Sequence, residues 1–483
     1  MQKLDLGDKR TFKNILSLAL PSMLAQFVSV LYSIVDRIFI GNIPIEGEIA
    51  LIGIGVVAPI TTFITSFAYW IGFGGAPIFS MSLGEKNEEN AKKILSNSFI
   101  LLLIMSLLIV VVFYPLGRPL LYLFGASEAS FPYAYSYFMI YLAGTFFSIL
   151  TLGLNQFIIA QGKSTLAMLV TMLGCVANVG LDPLFIYVFK MGVSGAALAT
   201  LISQFLSFVF VLILLLKVTD IRLSFQKLEK KIVKKIFKLG FSPFIIMATD
   251  SVVFICLNTC LKNFGGGDGD FYIEVATITQ AFFSLVTGPL LGISSGTQPL
   301  LAYCYGARKM DLIKKAEWQL VGFALAFCTL CVGLSFFLGK PFARLFISLS
   351  SSTPNERAIT ISNQTISIYM YGVIPLALQY VFVDGLTGMG QAKYSIWLSL
   401  NRKFILLLPL TILLPILSKN AFLVFYAEPI ADILASLVST VAYFLLRPRV
   451  FRKRLEQIGN ILDQKSPEGP FIFYFSYGFS FSI

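Results

Sequence analysis

The chain has 483 residues, 57% of them hydrophobic and only 13% charged, with a formal net charge of +12. A mean hydropathy of +0.81 excludes a water-soluble globular domain and a disordered chain alike, and points to a helical protein that crosses the membrane many times. The six cysteines fall mostly in apolar stretches and there is no histidine, which argues against a zinc site or a disulfide framework.

The charged start MQKLDLGDKR runs straight into a full-length apolar segment without a small-residue cleavage site. No removable signal peptide is therefore expected, and the first span itself directs insertion. Hydropathy gives twelve spans, at 14–40, 50–80, 94–114, 133–159, 166–188, 194–216, 240–262, 272–303, 318–339, 362–388, 394–416 and 421–446. Each matches a hydrocarbon core about 30 Å thick. The first carries Asp36 inside LALPSMLAQFVSVLYSIVDRIFIGN (Leu18 to Asn42); an acid so placed faces a cavity or a partner. The second and eighth are over-long and hold Gly and Pro, so tilt or kinks are expected there. The fifth brings Asn178 and Asp182, and the sixth Thr200. Next, LEKKIVKKIFKLG (Leu228 to Gly240) sets Ile232, Val233, Ile236 and Phe237 at helical spacing among lysines. It reads as an amphipathic helix on the inner leaflet, or alternatively as a solvated basic connector. Asp250 lies in the seventh span, Asp384 in the tenth, Arg402 and Lys403 in the eleventh, and Glu428 and Asp432 in the twelfth. The closing GPFIFYFSYGFSFSI (Gly469 to Ile483) is an interfacial segment or a sequence peculiarity.

Alternate loops differ in charge. The set containing the N-terminus, Lys217–Lys238, Ala307–Lys315 and Arg447–Arg454 holds 27 Lys and Arg, and the other set holds 7. Both termini are therefore expected in the cytoplasm, with the chain in the cell membrane. The net charge needs no nucleic-acid partner to explain it.

A shift of 222 residues places Lys13 on Lys235, Pro21 on Pro243, Gly74 on Gly296, Pro77 on Pro299 and Gly84 on Gly306, and lays LGRPLLYLF on LGKPFARLF. After an insertion the shift becomes 228 and matches Gly144 to Gly372 and Gly162 to Gly390. The expected fold is an all-α membrane protein of about 12 transmembrane helices in two six-helix repeats, related by an axis along the membrane normal. The domains would be a first lobe at 1–220, a cytoplasmic linker at 221–239, a second lobe at 240–450 and a cytoplasmic tail at 451–483. Such repeats belong to alternating-access transporters, whose substrate path lies between the halves.

Depth sorts the ionisable residues. At roughly 1.5 Å per residue, Asp36 lies about 6 Å below the outer boundary and Asp182 and Thr200 about 9 Å below it. Asn178 is one turn from Asp182 and can face the same space. Two carboxylates, an amide oxygen and a hydroxyl suit a small hard cation or a shared proton. The competing reading has Asp36 paired with Arg37 and Asp182 capping a kink before Pro183. The repeat puts Asn258 and Leu410 at the positions equivalent to Asp36 and Asp182, so any such site belongs to the first half. Asp250, about 15 Å from the cytoplasmic face, is a candidate for pairing with a cationic substrate or a second ion. For Asp384, Arg402 and Lys403 an internal salt bridge is expected, and a structural role for Asp432. Phe27, Tyr32, Phe63, Tyr69 and Tyr141 are aromatics that can line a cavity.

The patterns LYSIVDRIFIGN, GVVAPITTF, GFGGAPIFSMSLGEKNEENAKKI, LFGAS, NVGLDPLFIY, GVSGAALATLISQ and GISSGTQPLLAYCYGARK, with PIAD near the end, resemble the multidrug and toxic compound extrusion (MATE) family in order and spacing. The resemblance covers roughly residues 10–450. It implies two six-helix lobes around a central cavity, export of drug-like and often cationic molecules in exchange for H⁺ or Na⁺, and cation-site roles for Asp36, Asn178, Asp182 and Thr200. Three positions depart from the family: Asp384 replaces an uncharged residue before GLTGMGQAK, Lys403 adds a charge beside the expected Arg402, and Asp250 is one residue away from the acid that some members carry.

The expected function is thus multidrug efflux by secondary antiport, with small organic substrates and the lipid bilayer as partners. No cofactor beyond the coupling ion and no obligate protein partner are evident. The alternative is a flippase for a lipid-linked cell-envelope precursor, which would need several bases in the central cavity. An enzyme is disfavoured: no His or Ser dyad is visible and there is no nucleotide-binding GxxxxGK[ST] loop.

Overall fold

The computed structural model describes residues 6–44, 46–350 and 356–463. Among them, twelve helices are long and apolar enough to cross a membrane. They are α1 (Thr11–Gly41), α2 (Ile49–Gly84), α3 (Glu88–Leu123), α4 (Phe131–Ala160), α5 (Ser164–Val188), α6 (Gly192–Val218), α7 (Lys230–Phe264), α8 (Phe271–Gly306), α9 (Met310–Ile347), α10 (Glu356–Gly388), α11 (Ala392–Ser418) and α12 (Ala421–Glu456). The chain divides into the unit Met1–Thr440, which holds everything described below, and the unit Val441–Ile483. In the latter, Arg447 lies over the rings of Tyr443 and Phe444. The aromatic end at 469–483 lies outside the described residues.

Every expected span is a helix, and several run further than hydropathy indicates. α3 starts at Glu88 because the Asn87 side chain accepts from the Asn90 amide and closes the first turn. The basic stretch before the seventh span is helical from Lys230 and continues into that span without a break. Ile232 and Ile236 are buried in the first-half core cluster, so the face expected to lie on lipid packs on protein instead. The outward faces of α3 and α9, with Leu107, Val111, Leu330 and Phe337 exposed, are the apolar surface a bilayer covers.

Within the first repeat α4 packs on α2, α3 and α6, and α1 on α5; within the second α10 packs on α8 and α9, and α7 on α11. The repeats meet along α1 with α8 and α2 with α7. Repeat-related glycines sit at equivalent crossings. A Cβ on Gly144 would come within 2.7 Å of Gln204 Oε1, and one on Gly372 within 3.2 Å of Asp432 Cβ; Gln204 and Asp432 are themselves related by the 228-residue shift. Between the repeats, a Cβ on Gly84 would lie 2.1 Å from the Tyr303 carbonyl oxygen and one on Gly306 2.1 Å from that of Met81. The tightest approach is at Gly240, where a Cβ would lie 1.7 Å from the Trp70 carbonyl oxygen. Gly240→Ala is expected to destabilise the protein by about 1–3 kcal/mol through overpacking. An unchanged thermal unfolding midpoint in detergent would contradict the α2–α7 crossing.

Candidate functional site

α1, α5 and α6 bring the four first-half residues together. Asp36, Asn178, Asp182 and Thr200 are all buried, Asp182 completely. The carboxyl groups of Asp36 and Asp182 lie within hydrogen-bond reach of each other. Oriented to satisfy its neighbours, the Asn178 amide donates to Asp182 Oδ2 at 2.7 Å, and its oxygen accepts from the Thr200 amide and hydroxyl, both at 3.2 Å. Asp36 Oδ1 makes no hydrogen bond among the described residues. Two buried carboxylates this close repel unless a proton or a cation sits between them, and the surrounding oxygens are the ligands a hard cation prefers.

Local structure holds this geometry. The proline after Asp182 ends the regular helix, and Leu184–Val188 form a π turn. Its wider winding turns Tyr187 toward α1, where the hydroxyl donates to the Phe39 carbonyl at 2.7 Å. Tyr32 and Tyr137 complete the surround, both within reach of Thr200. Sequence reasoning named Tyr32 only as a cavity aromatic and missed Tyr137, which lies in the tyrosine-rich run YAYSYFMIY; that run was the available signal. Arg37 makes no close ion pair with Asp36 among the described residues, yet its charge acts on the Asp36 carboxyl through space, so part of the competing reading of Asp36 as a partner of Arg37 stands beside the Asp182 contact.

The second-half charges pair differently from expectation. Arg402 donates to Asp432 at 2.7 Å and to Glu428 at 3.1 Å, with all three side chains buried. Lys403 pairs with Asp250. Asp384 accepts from Ser294, whose hydroxyl also lies 2.9 Å from the Tyr380 carbonyl. The expected bridge among Asp384, Arg402 and Lys403 is therefore corrected: Arg402 and Lys403 open the π segment Asn401–Leu407 of α11, and this winding directs one to α12 and the other to α7. Asp250, the candidate for pairing with a cationic substrate or a second ion, pairs with Lys403 while remaining on the cavity wall.

Two cavities, of about 340 and 250 Å³, share Val30, Asp250, Tyr380, Arg402 and Lys403 on their walls. The larger one is within the size range of a drug-binding pocket. Val30, Ser33, Ile34 and Arg37 of α1 face the larger one, whereas Asp36 meets Asp182 of α5. α1 thus stands between the cavity and the carboxyl pair.

Comparison with known proteins agrees with this architecture. The chain is 26% identical over 451 residues to the multidrug export protein MepA of Staphylococcus aureus, covering 91% of this chain and 95% of that one. It superimposes with a TM-score of 0.85 at 22% identity on an outward-facing multidrug resistance MATE family transporter of the MOP superfamily, covering 94% of this chain and 99% of the other. A MOP superfamily transporter from Pyrococcus furiosus, described as having a binding pocket of reverse polarity, matches with a TM-score of 0.84 at 22% identity over 91% of this chain and 96% of its own. The MatE family profile matches residues 21–184 and 244–413, most of both repeats, and the chain belongs to the MatE family.

Proposed function

We propose that this protein exports drug-like organic molecules, often cationic, by secondary antiport against H⁺ or Na⁺. The observation that carries the reading is the Asp36–Asp182 pair, buried and mutually facing with Asn178 and Thr200 around it, behind a helix that also lines a drug-sized cavity. The name of the Staphylococcus aureus relative supports the substrate class. A cation entering the pair changes the environment of α1, and α1 is part of the cavity wall. Such a ligand shifts the balance of cavity orientations by its differential affinity for them. Residues 1–220 and 240–450 would move as the two lobes, with Asp36, Asn178, Asp182 and Thr200 holding the coupling ion. Because Lys403 occupies Asp250, Asp384 is the carboxylate better placed to meet a cationic group in the cavity.

A flippase for a lipid-linked precursor would need free bases for a pyrophosphate. Of the three in the larger cavity, Arg402 and Lys403 are neutralised by carboxylates, which favours export of small molecules. Expression in a drug-sensitive host should lower accumulation of a fluorescent organic cation; accumulation equal to that in the empty-vector host would overturn the reading. Both termini are proposed to be cytoplasmic. Lys235→Cys should then react with an impermeant maleimide only when the reagent reaches the inner face, and labelling from outside intact cells would invert the topology.

A further inference from the structure

In the larger cavity four of the five charged wall residues are neutralised. Asp250 and Lys403 pair with each other, and Arg402 is held by Glu428 and by Asp432 behind it. The fifth, Arg37, is exposed on the wall of the cavity and makes no ion pair or hydrogen bond among the described residues. A guanidinium inside a membrane span is costly unless it meets water or an opposite charge. The carboxyl nearest in sequence, Asp36, attracts it through space but forms no ion pair with it, and is engaged with Asp182. The other polar side chains of this wall, Ser33, Thr62, Thr277 and Gln280, are neutral and do not cancel its charge.

We propose that Arg37 is an anion-binding subsite of the cavity that takes a carboxylate of the exported molecule. The assignment deepens the export reading and rests on it. The planar fork of a guanidinium matches a carboxylate through two parallel hydrogen bonds, which a lysine ammonium cannot reproduce. The adjoining cavity carries Asp384 on its wall, a carboxylate hydrogen-bonded by Ser294. Asp384 lines only this adjoining cavity, so in the larger one Arg37 is the group that meets the carboxylate.

The test uses a rhodamine dye bearing its free carboxylate and the methyl ester of the same dye, so that the anionic group is removed on the unmodified protein. Binding to the purified full chain is followed by fluorescence polarisation for wild type, Arg37→Gln and Arg37→Lys. Wild type is expected to bind the acid about tenfold more tightly than the ester, the range of one charge-assisted contact. Arg37→Gln should lose that preference while binding the ester as before, and Arg37→Lys should keep part of it. Equal affinity of wild type for acid and ester, or a preference that survives in Arg37→Gln, would overturn the assignment. Cellular efflux of both dyes separates the two claims. A binding preference for the acid with no export of either dye would sink the export reading and leave Arg37 as the anion subsite.

Discussion

Asp36→Asn and Asp182→Asn are each expected to abolish gradient-driven efflux while leaving membrane insertion and expression near wild-type levels. Each change removes a charge at nearly constant volume, so the packing of α1 on α5 and of α5 on α6 is preserved. What disappears is the pair of mutually facing acids between which a proton or cation is held. Residues that act as a unit are not additive, so the double variant should be little worse than either single one. The check is dye efflux at matched expression in the two single variants and the double. A double variant whose loss is the product of two independent moderate losses would mean that the acids do separate jobs. Retained dye binding is expected in all three, because the cavity walls are made by other residues.

Arg402→Met is expected to produce the largest loss of stability. The guanidinium is enclosed between Glu428 and Asp432, and the three side chains are buried. Removing it leaves two carboxylates buried near each other without a cation, and breaking a buried charge network in this way costs about 3–5 kcal/mol. The variant should unfold at markedly lower temperature in detergent. Combining it with Glu428→Gln and Asp432→Asn removes the uncompensated charge and should recover most of the loss. A single variant as stable as wild type would show that solvent or another base reaches these acids.

The first-half cluster was legible because three independent signals coincide there. An acid in an apolar run stands out, helix rise gives its depth, and the spacing of Asn178 and Asp182 sets both on one face. The twelve spans and the repeat were legible for similar reasons, since apolar length and paired glycines survive in one dimension. The pairing of Asp250 with Lys403 and of Arg402 with Asp432 was not. Depth places such residues in one layer but does not say how far each helix is rotated, and the π segment Asn401–Leu407 shifts the register of α11 by an amount no propensity reveals. Helix ends were underestimated because hydropathy sees only the part in hydrocarbon, while backbone hydrogen bonding carries α3, α7 and α9 beyond it. Tyr137 was invisible for another reason: a phenol is neutral and common among membrane aromatics, so nothing in its surroundings distinguishes it before α4 is packed against α6.

The most direct test of cation-coupled export through the Asp36–Asp182 pair is uptake of a fluorescent organic cation into proteoliposomes, with a proton gradient and a sodium gradient imposed separately. Wild type should accumulate the dye against its own gradient with at least one of the two ions, and the Asp36→Asn, Asp182→Asn double variant should equilibrate it without accumulation. Uphill transport by the double variant at the wild-type rate would contradict the account.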